Sequence, residues 1–230
     1  MDRTRGNLLR IASQAILALC LAVIPSALTA QNILPPNPSV TRDYPIVEFS
    51  GGVSYAHTDL RGPANMVGWH ITFGMNPARQ LRLLGDFGEQ QVQSSTILLN
   101  GRQSTIKDYE YTFGPQIVYR RNPRFTPFAH GLFGVAARHY TVPSNTPGGP
   151  DVLAHDFGFA SVLGGGMDVN VNRYIAIRAI QADVSLEHRN WIDAQFTPVI
   201  AQLPASGNWQ ARPRLACGIV IRVGSHASAH

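Results

Sequence analysis

A two-residue rhythm runs through this chain from Ile46 to Val223. In one stretch, Tyr109, Tyr111, Phe113, Pro115, Ile117 and Tyr119 alternate with Asp108, Glu110, Thr112, Gly114, Gln116 and Val118. Successive side chains of a strand point to opposite faces, so such a segment carries one apolar and one polar face. No helical period of comparable length competes with it, and the chain is constrained to an all-β fold.

Eight segments share the pattern. They lie near residues 46–57, 65–75, 80–88, 108–119, 125–140, 155–171, 174–187 and 208–223. The facing of the fifth is ambiguous. The links alternate in length. Short ones, built on Asn, Pro and Arg, fall at 76–79, 121–124 and 172–173, and longer ones near 58–64, 91–106, 141–154 and 188–207. Short turns on one side and long loops on the other describe an eight-stranded antiparallel up-and-down transmembrane β-barrel with periplasmic termini.

What precedes and follows the rhythm fits an exported chain. Residues 1–30 read as a signal peptide: Arg3, Arg5 and Arg10, an apolar stretch from Ile11 to Ile24, Pro25, then small residues up to Ala30. That stretch is interrupted by Ser13 and Gln14 and falls short of the about 20 apolar residues of a spanning helix. Residues 31–45 form an irregular periplasmic leader, 46–223 the barrel and 224–230 a flexible C-terminal tail. Cys20 reads as part of the signal core. Cys217 is then alone, which excludes an internal disulfide and any metal site built on paired cysteines. The formal charge of +5 is scattered rather than blocked, so no nucleic-acid partner is expected.

Two local features break the rhythm. Asn100-Gly101 is a hairpin signal, but a two-residue loop would put Phe87 and Phe113 on opposite faces. A three-residue loop at 99–101, or a bulge lower in the hairpin, restores the facing; the three-residue form pairs Phe87 with Phe113 and Gln90 with Glu110. In the seventh segment, Arg178 has one parity and Gln181, Asp183 and Ser185 the other, which predicts a bulge near Ala179 and Ile180.

Which face is wet follows from volume. The interior of eight strands is just wide enough for side chains. A face bearing Trp69, Phe73, Phe87, Phe113 and Phe159 is too bulky for it. The other face carries glycine, serine, threonine and charges of both signs, and buried charge is tolerated only when paired. The expected lumen network comprises Glu48, Asp86, Glu110, Asp168 and Asp183 with Arg82, Arg178, Arg212, Arg214 and Arg222. Tyr55, Trp69, Tyr109, Tyr111, Tyr119, Phe157, Tyr174 and Trp209 form the expected lipid-facing girdle.

Ser161-Val162-Leu163-Gly164-Gly165-Gly166-Met167-Asp168-Val169-Asn170, followed by Ile175-Ala176-Ile177-Arg178, resembles the sixth and seventh strands of the small outer-membrane β-barrel family typified by the transmembrane domain of outer membrane protein A. Leu215 to Val223 resembles the family's last strand. The resemblance implies that Asp168 and Arg178 belong to an interior ion-pair network that plugs or gates the tube. It also implies outer-membrane localisation after export through the inner membrane, with outer-membrane lipids and the outer-membrane assembly machinery as partners. The family's last strand often ends the chain on an aromatic residue, whereas this one ends at Val223 before a tail, Gly224 to His230. No peptidoglycan binding is expected.

No enzyme activity and no cofactor is expected. The one His-x-Ser, His226-Ala227-Ser228, lies in the tail without a rigid frame. His70 and His130 read as lumen hydrogen-bonders, and His139, His155 and His188 as rim residues near Glu187 and Asp193 rather than a metal cluster. Gly164-Gly165-Gly166 opens no helix and fails as a phosphate loop. Arg79, Arg120, Arg121, Arg124 and Arg173 mark the short-turn rim, either solvated or against anionic headgroups. The expected role is structural or surface-interacting, with outward loops, including residues 191–204, meeting a surface partner of unknown identity. The alternatives are a small-solute channel gated by the ion pairs, a lipid-modifying hydrolase, and a secreted ligand-binding barrel.

Overall fold

A computed structural model describes residues 44–59, 63–92, 98–99, 102–103, 105–142, 152–190 and 209–225. The expected signal peptide, nearly all of the expected leader, His226-Ala227-Ser228 and the stretch 191–204 lie outside them. Eight strands form the barrel: β1 (Val47–Asp59), β2 (Pro63–Ala78), β3 (Leu81–Val92), β4 (Thr105–Val118), β5 (Phe125–Val142), β6 (Val152–Asn170), β7 (Ile175–Asn190) and β8 (Trp209–Val223), and Leu98–Leu99 and Arg102–Gln103 pair as a separate short ribbon. Each pairs antiparallel with its sequence neighbour, and β1 pairs with β8 (Val47 opposite Val223) to close the barrel. Closure leaves the barrel sheet without an unpaired edge.

The strands run further than the alternation alone marks. β2 extends to Ala78 across a register slip after Met75, so its turn onto β3 shrinks to Arg79 and Gln80. The link from β1 to β2 is also short, because Asp59 pairs with Pro63. That corrects the expectation of a long first loop over 58–64. Asn122 and Asn172 build two of the short turns in the same way. Each side-chain oxygen accepts two backbone N–H bonds, from Arg124 and Phe125 (2.8 and 3.2 Å) and from Tyr174 and Ile175 (both 2.8 Å).

The hairpin after β3 resolves differently from the three-residue loop. Leu99 pairs with Arg102, leaving Asn100 and Gly101 between them. In the barrel, Phe87 lies opposite Tyr111, Gly85 opposite Phe113 and Gln90 opposite Asp108. The tip and the barrel are therefore out of register by an odd number of residues. That offset keeps Phe87 and Phe113 on one face, as a slip lower in the hairpin requires. The pairings of Phe87 with Phe113 and of Gln90 with Glu110 are overturned by two residues.

The bulge in β7 is present. Met167 pairs with Ile180 and Asp168 with Arg178, so Ala179 is the extra residue. Its effect is the one parity demands: Arg178, Gln181, Asp183 and Ser185 are all buried. In β5 the even positions Thr126, Phe128, His130, Leu132 and Arg138 point inward, while Phe133 and Val135 point out.

The resulting polarity is inverted relative to a soluble domain. Phe73, Phe87, Phe113, Ile117, Phe133, Leu163 and Ile219 are exposed on the outside. The interior is mostly charged and polar, and within it Leu84, Leu132 and Val162 from β3, β5 and β6 form a small apolar cluster.

Candidate functional site

The lumen is the place where chemistry is concentrated, and strand period sets its content. Outside the β7 bulge, strand alternation turns every second residue inward, so Arg212 and Arg214 share a face with Arg222 on β8, and Asp86 shares one with Arg82 on β3. Glycines at other inward positions leave volume for long side chains. A Cβ on Gly164 would overlap the Asp183 carboxylate.

At the short-turn end, Glu48 is the hub. Arg82 pairs with it, Arg120 donates to Oε1 at 2.8 Å, and Arg222 lies 3.6 Å from Oε2. Asn76 ties the group together, its oxygen accepting from Arg82 (3.2 Å) and Arg120 (2.8 Å). Arg82 also donates to Gln116 at 2.7 Å. Arg120 belongs to a turn yet folds back over this mouth, where it bonds the Arg79 carbonyl, while Arg79 bonds the Arg120 carbonyl at 3.2 Å. Its place is therefore in the lumen cluster rather than on the outer rim.

In the middle, the Arg178 guanidinium clamps Asp168 through two hydrogen bonds, Nε at 2.9 Å and Nη2 at 3.4 Å. Its Nη1 donates to Ser50 and Gln181 (3.2 and 3.0 Å), and its Cζ lies over the Phe128 ring, 4.6 Å from the centroid. Beside it, Arg214 joins three carboxylates: Asp86 (2.7 Å), Asp183 (2.8 Å) and Glu110 (3.6 Å). His130 Nε2 lies 3.1 Å from the other oxygen of Asp183, and Gln181 donates to that carboxylate at 2.7 Å. His70 is also buried here.

Toward the long-loop end, Arg138 grips Asp108 through two hydrogen bonds of 2.5 Å. Arg212 bonds Asp108 (2.6 Å), Glu110 (2.8 Å) and Glu187 (2.7 Å), and Ser185 donates to Glu110 at 2.8 Å. Forked guanidinium–carboxylate bonds of this kind are the strong class of ion pair, and their burial makes each partner dependent on the other.

All ten lumen residues named from the sequence line this interior. Asp108, Arg138, Glu187 and Arg120 join them without having been singled out for it. Asp108 shares the parity of Glu110 and Arg120 that of Gln116, so both were readable. Arg138 depended on the unresolved facing of β5, and Glu187 was placed at the rim.

The girdle residues point outward at two levels. Tyr119 and Tyr174 are exposed at the short-turn end. Toward the other end lie Tyr55, which bonds Asn65 at 2.8 Å, Tyr109 against His139 (5.0 Å), and Trp209 against Phe159 and His188 (6.2 and 5.1 Å). Trp69, Tyr111 and Phe157 are exposed on the same outer surface. Among the described residues, no group of three or more His, Cys, Asp or Glu side chains is arranged to hold a metal ion.

No family model and no curated protein matches this chain. Solved structures do. Neisserial surface protein A is similar at a TM-score of 0.52 and 11% identity, over 78% of this chain and 98% of that one. The attachment invasion locus protein Ail of Yersinia pestis, in complex with the heparin analogue sucrose octasulfate, matches at 0.48 and 17%, over 78% and 99%. The outer membrane protein OprG of Pseudomonas aeruginosa matches at 0.42 and 16%, over 78% and 95%. At 11% identity the likeness to neisserial surface protein A is one of fold.

Proposed function

We propose that this chain is an integral outer-membrane β-barrel whose lumen is a closed, ion-paired core. Its role is structural or surface-interacting, carried by the loops at the long-loop end rather than by transport or catalysis. The carrying observation is the inverted polarity: a closed barrel with guanidinium–carboxylate clusters inside and Phe, Trp, Ile and Leu side chains outside. In lipid every backbone polar group must be bonded internally, which a closed barrel achieves. A soluble carrier barrel needs the opposite polarity. The partners in this reading are outer-membrane lipids, the assembly machinery that inserts the barrel, and a surface partner met by the loops.

The test is folding of the chain without residues 1–30 into detergent micelles, with boiled and unboiled samples compared by gel mobility and circular dichroism. A heat-modifiable band with β signal is expected. A chain that folds without detergent and shows no shift overturns the reading in favour of a secreted barrel.

A gated small-solute channel is the second reading. One observation favours it: Arg120, which closes the mouth over Glu48, is carried by a turn and not by a strand.

A further inference from the structure

The short-turn end carries a second, outward-facing arginine array that the lumen does not use. Arg121 and Arg173 sit on two different turns, those after β4 and β6, and both are exposed. Each guanidinium lies over an exposed tyrosine ring: Arg121 over Tyr119 at 5.6 Å and Arg173 over Tyr174 at 4.4 Å. The turns share one build, an asparagine accepting two backbone N–H bonds, with the stacked pair before the asparagine in one (Tyr119 and Arg121) and after it in the other (Arg173 and Tyr174). Just beyond the tyrosines the outer surface is apolar, with Ile117, Val171 and Ile175 exposed. Among the described residues this rim has no exposed acidic side chain, since Glu48 and Asp168 are both buried in the lumen.

We propose that Arg121 and Arg173, each braced on its tyrosine, grip the phosphates of anionic phospholipids in the leaflet that meets the short turns. Tyrosine favours the boundary between apolar chain and headgroup, which places the ring at that depth. Stacking holds the guanidinium plane over the ring and leaves its N–H edge free to bond a phosphate through two donors. Among the described residues, no exposed carboxylate on that surface competes for these guanidinium groups. This inference rests on the membrane reading above.

The experiment uses the barrel reconstituted in phosphatidylcholine vesicles containing spin-labelled phosphatidylglycerol or spin-labelled phosphatidylcholine. The motionally restricted fraction of each label gives relative association with the protein surface. Phosphatidylglycerol is expected to be preferred, with up to about fivefold from each arginine at low salt, and the preference is expected to shrink at high ionic strength. The double variant Arg121→Gln/Arg173→Gln should lose at least about threefold of that preference. Arg121→Lys/Arg173→Lys should fall between, because charge remains but the fork does not. Lys107→Gln, at the opposite end and paired with Glu89 at 3.2 Å, should leave it unchanged. A folded barrel with no preference, or a preference equally reduced by Lys107→Gln, overturns the proposal alone. Failure to give a heat-modifiable band in vesicles overturns the membrane reading, and this one with it.

Discussion

Arg214 shows what a single buried charge does in this interior. It reaches Asp86, Asp183 and Glu110 from β8, and those carboxylates come from three other strands. Its removal leaves like charges facing each other away from water. Arg214→Met should therefore destabilise the barrel by about 3–5 kcal/mol, read from urea unfolding in lipid vesicles by tryptophan fluorescence. Arg214→Lys should lose less, since it keeps the charge but not the fork. Lys107→Gln breaks an ion pair that is open to solvent (side chains 42% and 21% exposed), and should change stability by less than about 1 kcal/mol. Equal losses for Arg214→Met and Lys107→Gln would refute the idea that burial sets the value of these pairs.

The element scale is where β7 matters most, because its inner face exists only by virtue of one extra residue. Deleting Ala179 should turn Gln181, Asp183, Ser185 and Glu187 onto the apolar exterior, and no heat-modifiable band should form. A barrel that folds normally without Ala179 would show that the bulge does not set the facing. Glycine gives a milder contrast. Gly164→Ala meets the Asp183 carboxylate and should lose about 1–3 kcal/mol, while Gly51→Ala meets nothing within 4 Å and should be neutral or slightly stabilising. The bulge was legible because parity is a local property: Arg178 and Gln181 cannot both face inward without an insertion. The hairpin register after β3 was not legible. Asn100-Gly101 specifies a tip, but the offset between tip and barrel is taken up lower down, where the sequence carries no turn signal. The facing of β5 stayed ambiguous for a related reason. Phe128 and Leu132 point inward, against a face otherwise defined by charge, and Leu132 packs with Leu84 and Val162 while Phe128 lies under Arg178.

For the whole molecule, the question is whether the tube is a plug or a pore. Ion-pair clusters lie in the lumen at successive depths: Arg120 and Arg222 around Glu48, then Arg178 on Asp168, then Arg214, then Arg138 and Arg212 on Asp108 and Glu187. Barriers in series are governed by the tightest one, so loss of the outermost should not open the path. In planar bilayers the unmodified barrel and Arg120→Gln should both lack a steady conducting state. Arg178→Glu is a different perturbation. It sets a new carboxylate beside Asp168 and near Ser50 and Gln181, and like charges at that separation repel strongly in a poorly solvated interior. The repulsion should part β6 and β7 side chains at mid-depth and lower stability, while the intact Arg214 and Arg138–Arg212 clusters should still prevent a steady conducting state. If Arg120→Gln alone conducts, the inner clusters are not barriers, and the turn-borne arginine is a gate. That outcome would replace the closed core with the gated channel. If Arg178→Glu destabilises without conducting, the remaining clusters each suffice to seal the tube. The interior then acts purely as a core, an electrostatic counterpart of the apolar packing that holds a soluble domain together.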